Sequence, residues 1–157
     1  MIRPIMQNDS STVIALAVAA GLFPVDDTDV LHNMMARYFS DSRDDGHRCV
    51  IDEDDDPCAV AYYEPALVAD RTWYLTMIAV HPASQGHGRG IALMRYIEND
   101  LQTDGQRLLL IQTSGLLAFD RTRMFYKKCG YVEEARIRDY WETGDDMVLF
   151  RKVLNTV

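Results

Sequence analysis

The spacing of apolar residues along the chain predicts a mixed α/β fold. A short strand is predicted at Met1–Met6, and N-cap residues within Asn8–Ser11 predict a helix with apolar positions at Val13, Ile14, Leu16 and Ala17. A second helix is predicted from about Thr28 to Phe39, where apolar residues recur at intervals of three and four. The polar stretch SDSRDDGH closes this helical part.

A β-hairpin is predicted next, from the stretch RCVIDEDDDPCAVAYYE. Two β-rich runs flank an acidic turn that ends at Pro57. The carboxylates from Asp52 to Asp56 leave two interpretations open, a cation site or a solvated hairpin tip. The hairpin tip is favoured, because metal loops need spaced ligands in a defined turn.

The middle of the chain predicts a strand, a glycine turn, a helix and a parallel strand. The aromatic and β-branched run WYLTMIAV leads directly into HPASQGHGRGIALM. A helix follows from about Gly88 until Gly105 supplies a stop, and RLLLIQTS, Arg107–Ser114, is a nearly continuous apolar run typical of a buried strand.

The last third predicts one short helix and two strands. DRTRMFYKKCGY gives a helix from about Arg121 to Cys129, with Gly130 at its exit. The runs YVEEARI and DMVLFRKVL alternate like strands and are separated by the turn ETGDD.

Length and composition indicate a single folded domain over residues 1–157. The chain has 157 residues, 48% of them apolar, and no internal repeat. The apolar run Val13–Leu22 is too short to span a bilayer and lacks the flanks of a secretory signal. We therefore expect a cytoplasmic protein with no membrane association.

The charge and the cysteine spacing of the chain limit the partners, metal sites and disulfides that can be expected. With 24 acidic against 16 basic residues the net charge is −8, which argues against nucleic acid as a partner and suits a cationic one such as an amine. Cys49, Cys58 and Cys129 show no Cys-x-x-Cys or Cys/His spacing. Neither a structural metal nor a disulfide framework is expected.

The glycine stretch predicts an anion site at the start of a helix. Backbone N–H groups there lack intrahelical partners, and glycines let a pyrophosphate approach them. The stretch lacks the lysine and hydroxyl of a P-loop, and its third glycine is misplaced for a dinucleotide fingerprint. His87 and Arg89 lie within it, and Arg89 could add positive charge at the rim.

Two segments resemble the GNAT acetyltransferase superfamily. In IAVHPASQGHGRGIALM, the residues Gln85, Gly88 and Gly90 match the family signature Q/R-x-x-G-x-G/A that follows a strand. RMFYKKCGY resembles the family's later FY-x-x-x-GY/F segment, at the distance that one helix and one strand require.

The resemblance implies a mixed, mostly antiparallel central sheet with flanking helices, a splayed parallel strand pair, and acetyl-CoA as acyl donor. It implies that the pantetheine arm pairs with the backbone of Met77, Ile78, Ala79 and Val80. It also implies that the pyrophosphate rests on Gln85–Gly90. The full predicted cofactor set is Met77, Ile78, Ala79, Val80, Gln85, Gly86, His87, Gly88, Arg89, Gly90 and Ser114.

Acetyl transfer to an amine needs a proton for the leaving thiolate and an acceptor for the amine proton. Tyr126 matches the family's tyrosine general acid. The family's frequent glutamate on the central strand is missing, and Glu64 in AYYEP is the nearest candidate base. Water chains, or an amine that arrives neutral, are the alternatives.

The predicted activity is N-acetylation of a primary amine on a small molecule, by direct attack in a ternary complex. Two alternatives stay open: acetylation of a protein or peptide at its N-terminus or a lysine, and a CoA-responsive binding module without turnover. The sequence leaves the acceptor, the acyl chain length and the oligomeric state undecided, a homodimer included.

Overall fold

The computed structural model describes residues 1–155 as seven strands and four helices, in the order predicted from the sequence. A turn of π-helix, Tyr38–Ser42, continues the second helix. The strands are β1 Ile2–Pro4, β2 Arg48–Asp54, β3 Asp56–Pro65, β4 Thr72–Val80, β5 Leu108–Ser114, β6 Val132–Glu142 and β7 Asp145–Val153; the helices are α1 Ser10–Ala19, α2 Asp29–Arg37, α3 Arg89–Thr103 and α4 Asp120–Lys128.

Backbone contacts divide the chain into two compact units. Unit 1 comprises Met1–Glu64 and Thr76–Ile97, and unit 2 comprises Pro65–Leu75 and the chain from Glu98 onward. Strand β4 and helix α3 each contribute residues to both units. The strand order is β1-β2-β3-β4-β5-β7-β6.

Unit 1 is organised around an apolar core that α1, α2 and three strands build together. Val13, Leu16 and Ala17 form the buried face of α1, and Leu31 and Met35 form that of α2. The helices pack on strand residues that include Ile51, Val60, Tyr62, Met77 and Ala79. The helical spacing read from the sequence is therefore the spacing of core residues.

Two ion pairs of Arg3, here called the ionic clamp, join β1 to Asp9 before α1 and to Glu53 on β2. The Arg3 guanidinium contacts the Asp9 carboxylate, Nη1 to Oδ2 at 2.8 Å, and the Glu53 carboxylate, Nη2 to Oε1 at 2.6 Å. Asp9 also accepts a hydrogen bond from the Met6 backbone N–H at 2.7 Å. These partners, Arg3 first, hold the pKa of Asp9 below its ordinary value although burial opposes them.

The β2–β3 hairpin differs from the sequence prediction in the extent of its turn. The chain reverses at Asp55, which has a φ of 65°, so Asp52–Asp54 belong to β2 and Pro57 belongs to β3. Asp52 is buried, with 2% of its surface exposed. The acidic run is therefore only partly the solvated tip that its composition predicted.

Unit 2 contains the first half of β4, followed by β5, β7 and β6. The parallel pairing of β4 and β5 runs from Thr72↔Leu108 to Leu75↔Ile111. Strand β7 pairs antiparallel with β5 and β6. The buried residues of this unit are Thr72, Trp73, Leu75, Leu101, Leu109, Ile111, Thr113, Ser114, Tyr126, Tyr131, Met147, Val148, Phe150 and Leu154.

Strand β6 is longer than predicted and lies at the edge of the sheet. It continues past Ile137 to Glu142, and every one of its residues is exposed. A register shift between Ile137 and Glu142, with Asp139 at a φ of 56°, interrupts the alternating pattern. The bulge explains why the sequence pattern ended the strand too early.

The predicted fold class is confirmed: helices flank a mixed, mostly antiparallel sheet with one parallel strand pair. The splay of that pair and the single domain over 1–157 stay predictions. No helix within residues 1–155 has the length and apolarity needed to cross a membrane.

Candidate functional site

The glycine turn joins β4 to α3 within unit 1. A short 3₁₀ turn, Pro82–Ser84, follows the strand, and Gln85–Gly88 lead into the helix. The Gln85 side chain donates from Nε2 to the Val80 carbonyl at 3.0 Å and so ties the turn to the strand end. The turn is exposed at Gln85, Gly86, His87 and Gly88.

Backbone donors at the start of α3 have the geometry of an anion site. The Ala92 N–H bonds the Gly88 carbonyl at 3.0 Å, so the N–H groups of Arg89, Gly90 and Ile91 precede that bond. Groups in the first turn have no intrahelical acceptor, and the helix dipole is positive there. A phosphate at this end would receive both N–H donation and favourable charge.

Two glycines of the turn adopt backbone conformations that other residues disfavour. Gly86 has a φ of 76° and Gly88 a φ of 79°, and a Cβ on either would meet no protein atom within 4 Å. Within the protein alone, the need for glycine is therefore conformational and not steric.

Arg89 was predicted to add positive charge at the rim of the turn, but its side chain contacts two carboxylates of β2. Its guanidinium contacts the buried Asp52 carboxylate, Nη1 to Oδ2 at 3.3 Å, and a second carboxylate on Asp54. Its side chain therefore ties the start of α3 to strand β2 and neutralises two acids. Within residues 1–155, no His, Cys, Asp and Glu side chains form a group that could hold a metal.

The strand residues assigned to the pantetheine arm lie directly before the turn. Met77 and Ala79 are buried, whereas Ile78 and Val80 are partly exposed. Met77 and Ala79 pack into the core of unit 1. The pairing of β4 with β5 runs only from Thr72 to Leu75, ahead of these residues.

Tyr126 lies in α4 of unit 2 within an aromatic cluster. Its ring centroid is 5.5 Å from Phe125, 6.2 Å from Tyr131 and 5.6 Å from Phe150, and 4% of its surface is exposed. Burial, together with the Cys129 thiol, raises the pKa of the Tyr126 phenol. The phenol is therefore protonated at neutral pH, as a proton donor must be.

Contacts among Tyr131, Glu98 and Lys152, here called the polar frame, fix the chain just after Tyr126. The Tyr131 hydroxyl donates to Glu98 Oε1 at 3.0 Å, and Lys152 Nζ donates to Glu98 Oε2 at 3.0 Å and to the Cys129 carbonyl at 2.8 Å. The Lys152 ammonium also lies 5.3 Å from the Tyr131 ring centroid. The exit of α4 is thereby tied to α3 and β7 inside unit 2.

Side chains of unit 2 also hold the end of β5. The Ser114 hydroxyl hydrogen-bonds the Asp145 carboxylate, and Arg123 Nη1 donates to the carbonyls of Ser114 at 2.7 Å and Leu116 at 2.8 Å. The Trp141 indole donates to the Thr113 carbonyl at 3.3 Å. Ser114, predicted to contact the cofactor, is thus engaged within the protein, and Arg123 holds the chain at and after Ser114.

Glu64 lies at the end of β3 and has a neighbour that the sequence did not suggest. His47 Nδ1 is 3.6 Å from Glu64 Oε2 and 2.6 Å from the Tyr62 hydroxyl. His47 stands in the polar stretch before β2, far from Glu64 along the chain. A hairpin register was the signal that could have joined them, but a bulge at Asp52/Glu53 shifts that register by one residue.

Comparisons with known proteins agree with this geometry. Residues 44–133 match the family model described as acetyltransferase (GNAT) domain. No curated protein sequence matches the chain significantly. Many solved structures do, and one from Desulfovibrio desulfuricans, assigned to the GNAT family of acetyltransferases, has 29% identity and a TM-score of 0.91, with 99% of each chain covered.

Two more distant structures share the fold. The ribosomal-protein-S18-alanine N-acetyltransferase of Escherichia coli has 18% identity and a TM-score of 0.80, over 100% of this chain and 95% of that one. An aminoglycoside 6'-N-acetyltransferase complexed with coenzyme A has 15% identity and a TM-score of 0.82, over 100% and 98%. Their names place one acceptor on a protein and the other on a small molecule.

Proposed function

The chain belongs to the GNAT acetyltransferase family, and we propose that it transfers an acetyl group from acetyl-CoA to a primary amine of a small molecule. The observation that supports this proposal most is the conformation of the turn before α3. Gly86 and Gly88 hold positive φ angles there, ahead of helix-start N–H groups that can receive a pyrophosphate.

The donor side of the proposal uses unit 1. The pyrophosphate binds the backbone of Gln85–Gly90, and the pantetheine arm pairs with the backbone of Met77–Val80. Arg89, paired with Asp52 and Asp54, supports the turn through its position and not by contacting phosphate. The Gln85 side chain likewise acts by holding the turn against the Val80 carbonyl.

The chemical step is direct attack of the neutral amine on the thioester carbonyl. The new C–N bond forms as the C–S bond breaks, and the leaving thiolate takes a proton from Tyr126, the proposed general acid. The acylated nitrogen loses a proton at the same time, and this proton restores the Tyr126 phenol through solvent. The raised pKa of Tyr126 keeps its proton in place until charge develops on sulfur. The family assignment and the protonated, buried phenol support this role.

A small cationic acceptor is supported by the acidic balance of the chain. The net charge of −8 favours encounter with an ammonium compound. The two distant fold neighbours do not decide the acceptor class, because one is named for a protein and the other for an aminoglycoside.

A thiol-release assay tests the proposal. Acetyl-CoA is offered with a panel of diamines, aminoglycosides, lysine peptides and peptides with a free N-terminal alanine, and calorimetry measures CoA binding separately. Release with small amines above all peptides is expected. Faster release with peptides would move the acceptor to the protein class, and CoA binding without release would favour a regulatory module.

A further inference from the structure

Three side chains of unit 1 form a cluster at the open end of the β2–β3 hairpin. His47 precedes β2, and Tyr62 and Glu64 lie on β3. The register runs to Arg48↔Tyr63, and one further step brings His47 opposite Glu64. His47 and Glu64 have 20% and 34% of their side-chain surface exposed, so solutes can reach both.

His47 contacts Tyr62 and Glu64 through one ring nitrogen, Nδ1. Nδ1 faces the Glu64 carboxylate at 3.6 Å and the Tyr62 hydroxyl at 2.6 Å. A proton on Nδ1 points toward both oxygens, which leaves a lone pair on Nε2.

Tyr62 is suited to orient the ring without ionising. It is 2% exposed, and its hydroxyl also hydrogen-bonds the side chain of Ser42. Burial and the charge of Glu64 raise its pKa. Within residues 1–155, Tyr62 and Glu64 on β3 are titratable groups that contact His47, and Tyr38 and Cys49 lie near Tyr62.

The cluster lies toward the acyl end of the proposed donor site. If the pyrophosphate rests on Gln85–Gly90, the pantetheine arm runs back along β4 from Val80 to Met77, about 10 Å at the rise of a strand. The thioester then lies toward Met77. Backbone hydrogen bonds from His81 N–H to the Cys58 carbonyl and from Ala66 N–H to the Thr72 carbonyl, both 2.8 Å, bracket the pairing of β3 with β4. Counting along the strands from these bonds puts Tyr62 across from Met77, which brings His47 to this end of the strand.

We propose that His47, oriented by Tyr62 and Glu64, is the general base that takes the proton from the acceptor amine. The proposal rests on the proposed function above. The ammonium form of the acceptor gives one proton to His47 Nε2, and the neutral nitrogen attacks the thioester carbonyl. As the C–S bond breaks, the nitrogen loses its second proton, which replaces the proton that Tyr126 gave to the thiolate, and the imidazolium returns its own proton to solvent. Glu64 acts through His47 and is therefore a positioning residue.

This assignment also accounts for the central strand, which carries no acid. Strand β4, TWYLTMIAV, offers no carboxylate, and the basic group is supplied instead by a histidine beside the neighbouring strand pair. The Glu64 carboxylate in this cluster can attract a cationic substrate.

The decisive variants are His47→Asn and Glu64→Gln. Asparagine offers an N–H near the position of Nδ1 and can keep the contacts to Tyr62 and Glu64, but it has no basic nitrogen. With the best amine from the panel, His47→Asn should lower kcat about 100-fold at unchanged CoA affinity. The acid-side rise of the pH–rate profile should disappear, and added imidazole should restore part of the rate to His47→Ala.

Glu64→Gln should lower kcat by a smaller factor, about 10-fold, and keep the rise on the acid side, since the base is still present. A wild-type protein that binds no CoA and releases no thiol overturns the proposed function and this inference with it. A wild type that acetylates an amine, while His47→Asn keeps at least half of kcat and an unchanged pH profile, overturns the inference alone.

Discussion

The glycine turn of unit 1 is made of main chain and lies open to solvent, whereas the Tyr126 ring of unit 2 is enclosed by other side chains. In the turn, Gly86 and Gly88 adopt conformations that few other residues accept. Around Tyr126, three aromatic rings from α4, β7 and the segment between α4 and β6 enclose the phenol. The first region depends on local backbone conformation, and the second depends on long-range packing.

This difference determines what substitution does to each region. A change in the turn should affect ligand binding and leave folding nearly intact, because the turn buries little. A change in the aromatic cluster should affect folding or turnover according to which atoms are removed. The expected effects differ in size as well as in kind.

The largest effect is expected for Gly88→Glu. A carboxylate beside the helix-start N–H groups repels the pyrophosphate, and the φ of 79° adds backbone strain. Calorimetry with CoA should show at least a ~100-fold loss of affinity. Gly88→Asn is the matched control, since asparagine tolerates positive φ and carries no charge, and it should lose much less. Equal affinity in the wild type and Gly88→Glu would remove the turn from the cofactor site.

The next effect is on turnover, from Tyr126→Phe. Removing the hydroxyl while keeping the ring should lower kcat about 100-fold, with CoA affinity and the melting temperature nearly unchanged. Steady-state kinetics and calorimetry on one preparation measure both. Full turnover in this variant would exclude Tyr126 as the general acid.

Tyr131→Phe, in the same aromatic cluster, should lower stability and leave kcat nearly unchanged. Its hydroxyl is held by Glu98 at 3.0 Å and has no assigned role in the reaction. The free energy of unfolding should fall by about 1–3 kcal/mol, because the partly buried Glu98 carboxylate loses one of its two donors. Urea titration of this variant, Glu98→Gln and the double variant should give non-additive losses. Additive losses would show that the frame is not cooperative.

The smallest effect concerns the ionic clamp of unit 1 in acid. The folded pKa of Asp9 is lowered, so its carboxylate stabilises the fold above the ordinary value of about 3.9 and loses this contribution as pH falls through the folded pKa. Asp9→Asn should cost about 1–2 kcal/mol at pH 7 and progressively less below pH ~4. Urea titrations across this pH range provide the test, with exposed Asp56→Asn as a control that should change little.

Features with a local cause could be predicted from the sequence. The strand–turn–helix around Gly88, the periodicity of Met94, Ile97 and Leu101 in α3, and the hairpin on either side of Asp55 all follow from neighbours along the chain. The matching family model covers residues 44–133 and includes the glycine turn and Tyr126. The fold class could therefore be predicted from the sequence.

Features that depend on strand register or on partners distant along the chain could not be predicted from the sequence. The approach of His47 to Glu64 depends on a bulge in the β2–β3 pairing, and the pairing of Asp52 with Arg89 joins residues that are 37 positions apart in the sequence. A one-residue shift changes every cross-strand neighbour beyond it, and the composition of the strands does not reveal the shift. The contact of Ser114 with Asp145 could not be predicted either, because Asp145 lies on the neighbouring strand β7, 31 residues further along the chain.

Strand β6 has a consequence for the behaviour of concentrated solutions. It lies last in the strand order and is exposed along its whole length, which is an arrangement that invites edge-to-edge aggregation. Its two register shifts and the charges of Glu133, Glu134, Arg136 and Arg138 break the flat hydrogen-bonding edge that a second molecule would need. Substitutions that straighten this strand or neutralise its charges should therefore shorten the shelf life of the purified protein before they alter its melting temperature.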